Sequence, residues 1–224
     1  MVDLDEAMRT TATVRYYTDE PVDEAVLYRA FERARFAPNG GNRQGWRVIV
    51  ITDPDRRRQV RDLYLEPWAP YVDAARARAA GTGPVPRTSG VLERADEFAH
   101  AMDEVPVHLV ILARMDALAI TDQDLGYRTS IVGGASVYPF VQNILLSCRA
   151  EGLGSTLTTI MTSVEPKVRE LLGIPDGYAV AALVTVGHPD RNRLPGALSR
   201  APVEEFVTHH TFDGPAFSGV AQNG

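Results

Sequence analysis

Two short segments and two arginines carry the residue types that could bind an anion or a flat ring. Residues 37–42 (APNGGN) are small enough for backbone N–H groups to approach a ligand closely. Residues 154–162 (GSTLTTIMT) offer successive amides and hydroxyls. Arg15 and Arg200 lie outside any helical pattern, and an arginine pairs well with a phosphate or an electron-rich ring edge. This distribution indicates a protein that positions a redox cofactor bringing its own chemistry.

Side chains that would supply acid–base, nucleophilic or metal chemistry are few. The five histidines show no metal-ligand spacing, and we expect no metal site. The only cysteine, Cys148, lies in an apolar helical stretch, where cysteine behaves as a small buried hydrophobe. The only lysine, Lys167, lies in a polar helical stretch, which disfavours a pyridoxal Schiff base. We therefore expect no catalytic side chain.

The periodicity of apolar residues predicts the elements that hold these segments. Helices are predicted from Asp3 to about Thr10, over 22–36, from Pro54, over 135–150 and over 164–172, and strands over 46–51, 107–113 and 179–186. Residues 13–21 and 154–159 are predicted to be extended. The helix over 135–150 has a broad apolar face, which indicates a central position. Helices mixed with three or four strands indicate a single α+β domain.

Two stretches rich in proline or glycine interrupt this pattern. Residues 80–90 (AGTGPVPRTSG) are predicted to form a loop, either a lid or an ordinary surface excursion. The tail over 189–224 has little periodicity but contains three phenylalanines, at 206, 212 and 217. A tail this long is either disordered or wraps another surface, and the phenylalanines favour wrapping.

Composition limits the class of protein. The chain has 224 residues, 45% of them hydrophobic and 23% charged, which is typical of a soluble globular domain. Its net charge of −6 excludes a nucleic-acid-binding function, and the basic run at Arg56, Arg57, Arg58 and Arg61 is interpreted as a solvated helix face. The longest apolar run, 179–186, is far short of the ~20 residues that span a membrane. We expect a cytoplasmic protein without membrane contact.

Five ordered segments resemble the FMN-dependent nitroreductase family across residues 9–209. They are TVRYYTDEPV, ARFAPNGGNRQGWRVIV, SIVGGASVYPFVQNILLSCRAEGLGSTLTT, LLGIPDGYAVAALVTVGHP and SRAPVEEFV. The resemblance implies one FMN-binding domain over 1–224, an α+β sandwich with a central mixed β-sheet flanked by helices. It also implies a homodimer with FMN at the interface and a tail over 189–224 that wraps the partner.

The resemblance assigns roles near the N-terminus. The family's R-R-S-x-R motif falls on residues 11–15, here Thr-Ala-Thr-Val-Arg. Arg15 would contact the pyrimidine edge of the isoalloxazine, Thr13 would bind near the ribityl chain or phosphate, and Val14 lies between them. Both leading arginines of the motif are missing, and Arg9 is a candidate replacement. An ion pair of Arg15 with Asp19 or Glu20 is the alternative.

Three further segments are matched in the same way. Pro38, Asn39, Gly40 and Asn42 would contact FMN from the second subunit, with Asn39 where the family has serine. The backbone of Leu157, Thr158 and Thr159 would reach N5 and O4 of the flavin, and Arg200 would bind the phosphate.

The implied activity is ping-pong hydride transfer. NADPH or NADH would reduce FMN at N5 and leave, and an electron-poor acceptor such as a nitroaromatic or a quinone would replace it. The alternatives are flavin fragmentation, reductive dehalogenation or flavin binding without catalysis.

Overall fold

The computed structural model describes residues 2–81, 89–196 and 198–219. The helices are α1 (Leu4–Thr10), α2 (Glu24–Ala34), α3 (Pro54–Gly81), α4 (Ser89–His100), α5 (Tyr138–Ala150) and α6 (Glu165–Leu172). The strands are β1 (Trp46–Ile51), β2 (Val107–Arg114), β3 (Gly154–Thr158) and β4 (Tyr178–Gly187). No helix within these ranges is both long and apolar enough to cross a membrane.

The first three helices begin where an aspartate can accept the unpaired N–H groups of the first turn. Asp3 accepts from the N–H of Glu6 at 2.8 Å, and Asp23 accepts from that of Ala25 at 2.8 Å. The Asp53 carboxylate does the same at the start of α3, 2.8 Å from the N–H of Arg56. Local side-chain chemistry thus places these helix starts.

The four strands form one sheet in the order β1-β2-β4-β3, and each neighbouring pair is antiparallel. Parallel pairing within the described residues is confined to one isolated bridge, between Thr13 and Ser155. The α+β sandwich with helices flanking a central sheet is confirmed, and its sheet is mixed only through this bridge.

Both faces of the sheet are covered by helices. Alternate residues of β2 point to opposite sides, with Leu109 and Ile111 in one core cluster and Val110 and Leu112 in the other. The first cluster is completed by α2 and α5, and the second by α3, α4 and α6. Ile144 of α5 is fully buried, which confirms the predicted central helix.

Most predicted bounds hold within a few residues. The predicted helix over 135–150 begins later, at Tyr138, because residues 132–137 form turns. In the segment 80–90, residues 80–81 end α3 and residues 89–90 begin α4, while 82–88 lie outside the described residues. The basic run is only partly a solvated face: Arg57 donates to the carbonyl of Val105, and Arg61 forms an ion pair with Asp103 at 2.8 Å.

The sheet also buries a histidine. His108 of β2 has no exposed surface, and its Nε2–H donates to the carbonyl of Met102 at 2.8 Å. Its Nδ1 is buried without a partner among the described residues. Burial lowers the pKa of His108 to about 4, so the ring is neutral in the folded protein at pH 7.

We expect the stability of the protein to fall as the pH drops through the range between about 6.5 and 4. The unfolded chain binds a proton at His108 near pH 6.5, whereas the folded chain binds it only near pH 4. Protonation of the unfolded chain therefore lowers the free energy of unfolding by about 3 kcal/mol between these two pH values, and by no more below pH 4. Urea denaturation of the wild type and of His108→Gln over a pH series measures the effect. Parallel pH profiles for the two proteins would contradict it.

Candidate functional site

Arg15 is a partly buried cation without a counter-ion. Within the described ranges its guanidinium forms no ion pair and no hydrogen bond. Neither alternative partner pairs with it: Asp19 forms no ion pair within the described ranges, although it borders the same cavity of about 360 Å³ as Arg15, and Glu20 lies 3.7 Å from His188 instead. Burial lowers the pKa of Arg15, and the nearby charge of Arg94 lowers it further. A cation in this state is suited to an anionic group on a ligand.

The strand segment beside β3 fixes the position of Arg15. The N–H of Val14 donates to the carbonyl of Ser155 at 3.0 Å. A Cβ at position 154 would lie 2.8 Å from Cγ1 of Val14, so only glycine lets the segment approach β3 this closely. The buried hydroxyl of Tyr17 donates back to the carbonyl of Val14 at 2.7 Å, and burial raises the pKa of this hydroxyl, which keeps it protonated.

Arg15 borders a cavity of about 750 Å³, here called the aromatic cavity. Its lining includes the predicted residues Leu157, Thr158 and Thr159, together with Trp68, Tyr71 and apolar side chains of α4. The structure therefore brings together four of the predicted binding residues. Among the described residues the lining contains no carboxylate, histidine or cysteine, so these side chains can bind and orient a ring but offer no strong acid or base.

Three aromatic residues of α3 form one wall of this region, and the sequence interpretation missed them. The rings of Tyr64 and Trp68 lie 5.6 Å apart, and those of Trp68 and Tyr71 lie 5.5 Å apart. The Trp68 indole donates to Asp96 of α4 at 2.9 Å, which ties the two helices together. The signal was the spacing of four and three residues, which places all three rings on one helix face.

The end of β3 presents a free backbone donor. The ladder between β3 and β4 ends at the pair of Thr158 and Leu183. The N–H of Thr159, the next residue, donates to no acceptor within the described part of the chain. The Thr158 hydroxyl lies 3.4 Å from that of Tyr64, and burial raises the pKa of Tyr64. A ring in the aromatic cavity would therefore meet an unpaired amide.

A second cavity, of about 420 Å³, adjoins the first at Arg15 and is here called the arginine cavity. Thr13, Arg15, Tyr16, Arg94, Arg193 and residues 194–196 line it. Arg193 is already paired, 3.2 Å from the Glu97 carboxylate, and lies over the ring of Tyr16. The two cavities together suit an elongated ligand with a flat ring at one end and a negative charge at the other.

The predicted loop over 37–42 lies apart from these cavities. The Asn39 carboxamide is engaged within the loop, where it accepts from the N–H of Gln44 at 2.9 Å. The N–H of Gly40 donates to the Ser136 hydroxyl at 3.0 Å, and Asn42 adopts a left-handed backbone with φ of 52°. Neither these residues nor Pro38 border the two cavities. Their contact with a ligand bound by a partner subunit stays a prediction.

Two arginines expected near a phosphate are also placed elsewhere. Arg200 is exposed, and its Nη1 donates to the carbonyl of Ser199 at 2.9 Å. Arg9 forms an ion pair with Asp5 in its own helix at 2.9 Å. Neither side chain lines the arginine cavity in this chain. The role of Arg200 stays a prediction, and Arg9 is already neutralised.

Comparison with known proteins defines the class of the chain. The model of the nitroreductase family matches residues 8–188, and the chain therefore belongs to that family. It is a nitroreductase-family oxidoreductase with the α+β fold described above.

Its relatives carry several different names. A NADH dehydrogenase of Thermus thermophilus is 30% identical, and a nitrobenzene nitroreductase of Ectopseudomonas oleovorans is 26% identical; each match covers 92% of this chain and 96% of the relative. A 5,6-dimethylbenzimidazole synthase of Rhodobacter capsulatus is 29% identical and covers 90% and 91%. The solved structure of oxidised iodotyrosine deiodinase, bound to FMN and 3-iodo-L-tyrosine, has the same fold, with a TM-score of 0.72. The two chains are 21% identical, and the match covers 94% of this chain and 100% of the deiodinase chain.

We expect the substitution Arg15→Met to stabilise the flavin-free protein slightly. The change removes a partly buried charge that faces Arg94 and keeps a long side chain, so a gain on the order of 0.5–1 kcal/mol is expected. Urea denaturation at low and at high salt measures it. The gain should shrink at high salt, which screens the repulsion between the two arginines. A clear loss of stability at both salt concentrations would mean that Arg15 has a stabilising partner.

Proposed function

We propose that this protein binds FMN and uses NADPH or NADH to reduce nitroaromatics, quinones or similar electron-poor acceptors. The observation that carries the proposal is the unpaired Arg15 at the junction of an aromatic cavity and a cationic one. The name of the nitrobenzene nitroreductase relative supports the acceptor, and the FMN of the deiodinase structure supports the cofactor. The name of the NADH dehydrogenase relative supports a nicotinamide donor.

The residues present fit FMN in chemical type. The aromatic cavity offers apolar and aromatic walls to a tricyclic ring, and the arginine cavity offers positive charge to a phosphate. When bound, FMN would supply the chemistry of hydride transfer. Arg15 would hold the negative charge at the pyrimidine edge of the ring, and the backbone N–H of Thr159 would be the hydrogen-bond donor for N5. Removing one such preorganised donor typically costs about 2.7–4 kcal/mol at an oxyanion site, which sets the scale of each contribution.

The cavity walls also favour the class of acceptor. Trp68, Tyr71 and the apolar side chains of α4 border the space next to the proposed ring position. A flat, uncharged aromatic molecule would stack there, since the described part of the lining has no carboxylate to repel an electron-rich nitro or quinone oxygen. The deiodinase and dimethylbenzimidazole synthase names mark the alternative acceptors that a panel of substrates must include.

The proposed active form is a homodimer in which the loop over 37–42 of one subunit completes the site of its partner. Large apolar side chains on the C-terminal tail are exposed in the single chain, among them Phe206 at 66% and Phe212 at 94%. Phe36, directly before the loop, is 75% exposed. Exposed apolar surface of this kind is typical of an interface. Burying these residues against a second copy gives the tail the wrapping role expected from its sequence.

The first prediction of this proposal concerns cofactor content. Arg15→Met should purify largely colourless, because the site loses the cation that faces the pyrimidine edge and phosphate side of FMN. The ratio of flavin absorbance to protein absorbance in the purified sample measures occupancy. Arg58→Met is the matched control, since Arg58 is exposed and pairs with Asp55 of its own helix, away from both cavities. Full flavin content in Arg15→Met would refute the assignment.

The second prediction concerns assembly. Sedimentation velocity should give a mass of about twice the 24.5 kDa of the chain. The double substitution Phe206→Ser with Phe212→Ser should weaken the dimer and lower flavin occupancy together, because the partner's loop would leave the site. A wild-type monomer that holds FMN and oxidises NADPH in the presence of nitrobenzene would contradict the dimeric site but not the activity.

A further inference from the structure

The structure offers a replacement for the two arginines that are missing at positions 11 and 12. Arg94 of α4 lines the arginine cavity together with Thr13 and Arg15. Its guanidinium forms no ion pair and no hydrogen bond within the described ranges. Its charge acts on both Arg15 and Tyr16, which shows that it lies close to the segment of the incomplete motif.

Other arginines near this end of the molecule are less suited to the role. Arg9 is paired with Asp5, and Arg149 donates to Thr10 at 2.9 Å and lies 3.4 Å from Glu6. Arg191 has no partner in the described part, but it borders a different cavity, of about 520 Å³, that is lined by Thr11 and Ala12 and not by Thr13 or Arg15. Among these candidates, Arg94 is the unpaired one that faces the predicted cofactor residues.

The charges of the arginine cavity match a phosphate monoester. Glu97 neutralises Arg193, which leaves the charges of Arg15 and Arg94 without a counter-ion. A phosphate monoester carries about −1.5 to −2 at neutral pH. We propose that Arg94 binds the phosphate of FMN in the arginine cavity and takes the place of the absent N-terminal arginines. This inference rests on the proposed FMN-dependent function.

The fold gives α4 a reason to supply this residue. Phe98 of this helix is buried in the core, and the Asp96 carboxylate accepts a hydrogen bond from the indole of Trp68. Leu92 and Ala95, on either side of Arg94 in the sequence, border the aromatic cavity. A helix held in this way places Arg94 at the phosphate end while its neighbours line the ring end. Arg94 is therefore a binding residue that positions the cofactor as a whole.

The test compares two flavins that differ only in the phosphate. Flavin-stripped full-length protein is titrated with FMN and, separately, with riboflavin, and the quenching of flavin fluorescence gives each Kd. In Arg94→Ala we expect FMN to bind about tenfold to a hundredfold more weakly, with riboflavin binding unchanged. Arg94→Lys should lie between wild type and Arg94→Ala, because lysine keeps the charge but not the bidentate geometry. Arg191→Ala tests the competing arginine beside Thr11 and Ala12 and should bind both flavins as the wild type does. A loss of FMN binding in Arg191→Ala and not in Arg94→Ala would overturn the proposal.

The possible results distinguish a failure of the role proposed for Arg94 from a failure of the proposed FMN-dependent function. If Arg94→Ala binds FMN as tightly as the wild type, or loses FMN and riboflavin equally, the phosphate role of Arg94 is wrong while the FMN-dependent function stands. If the wild type binds neither flavin, the proposed function itself fails. Thermal melting followed by circular dichroism checks that Arg94→Ala folds, which we expect because Arg94 is exposed and makes no hydrogen bond in the described ranges.

Discussion

The site depends on holding the charge of Arg15 partly out of water without an internal partner. Such a charge is unfavourable in the isolated fold, since desolvation and the neighbouring Arg94 both act against it. The backbone of Val14, hydrogen-bonded to β3, and the close approach allowed by Gly154 keep the segment from moving its arginine into solvent. The two buried clusters, one on each face of the sheet, supply stability that offsets the unfavourable free energy of this charge. A ligand anion would remove the unfavourable term, so binding and stability are coupled here.

The same edge of the sheet explains why two cavities meet at one residue. β3 is the last strand of the order β1-β2-β4-β3, and the N-terminal segment adds only a single bridge beyond it. Past Thr158 the ladder stops, which frees the amide of Thr159 and opens space below α3 and α4. Edge strands with unpaired groups usually have to be covered. In this fold the uncovered end of β3 borders the aromatic cavity instead.

The sequence predicts a feature well when the residues that determine it lie close together in the chain, and poorly when they lie far apart or in another subunit. The strand over 46–51 was predicted to the residue, because a β-branched run before Pro54 is unambiguous within a few positions. Arg15 and Leu157–Thr159 were found through motif resemblance, and their shared cavity is the part the structure adds. Trp68 was missed because an aromatic stripe on a helix is equally typical of core packing. Arg94 was missed because Arg15 and Arg94 lie far apart in the sequence, and only the folded chain brings them to one cavity. The predicted role of the loop over 37–42 involves a second subunit, which a single chain does not contain.

The described residues that line the aromatic cavity include no carboxylate, histidine or cysteine, which has a consequence for how such a site changes its substrate. When side chains only bind and orient, a new acceptor requires new walls and no new catalytic group. The aromatic cavity takes its walls from α3 and α4 on one side and from Arg15 and the end of β3 on the other. In the proposed function the first set faces the acceptor and the second set holds the cofactor, so the two tasks would fall to separate elements. Such a separation would let the acceptor change while the cofactor site stays, and relatives of this chain do carry names as different as a nitroreductase and a dimethylbenzimidazole synthase.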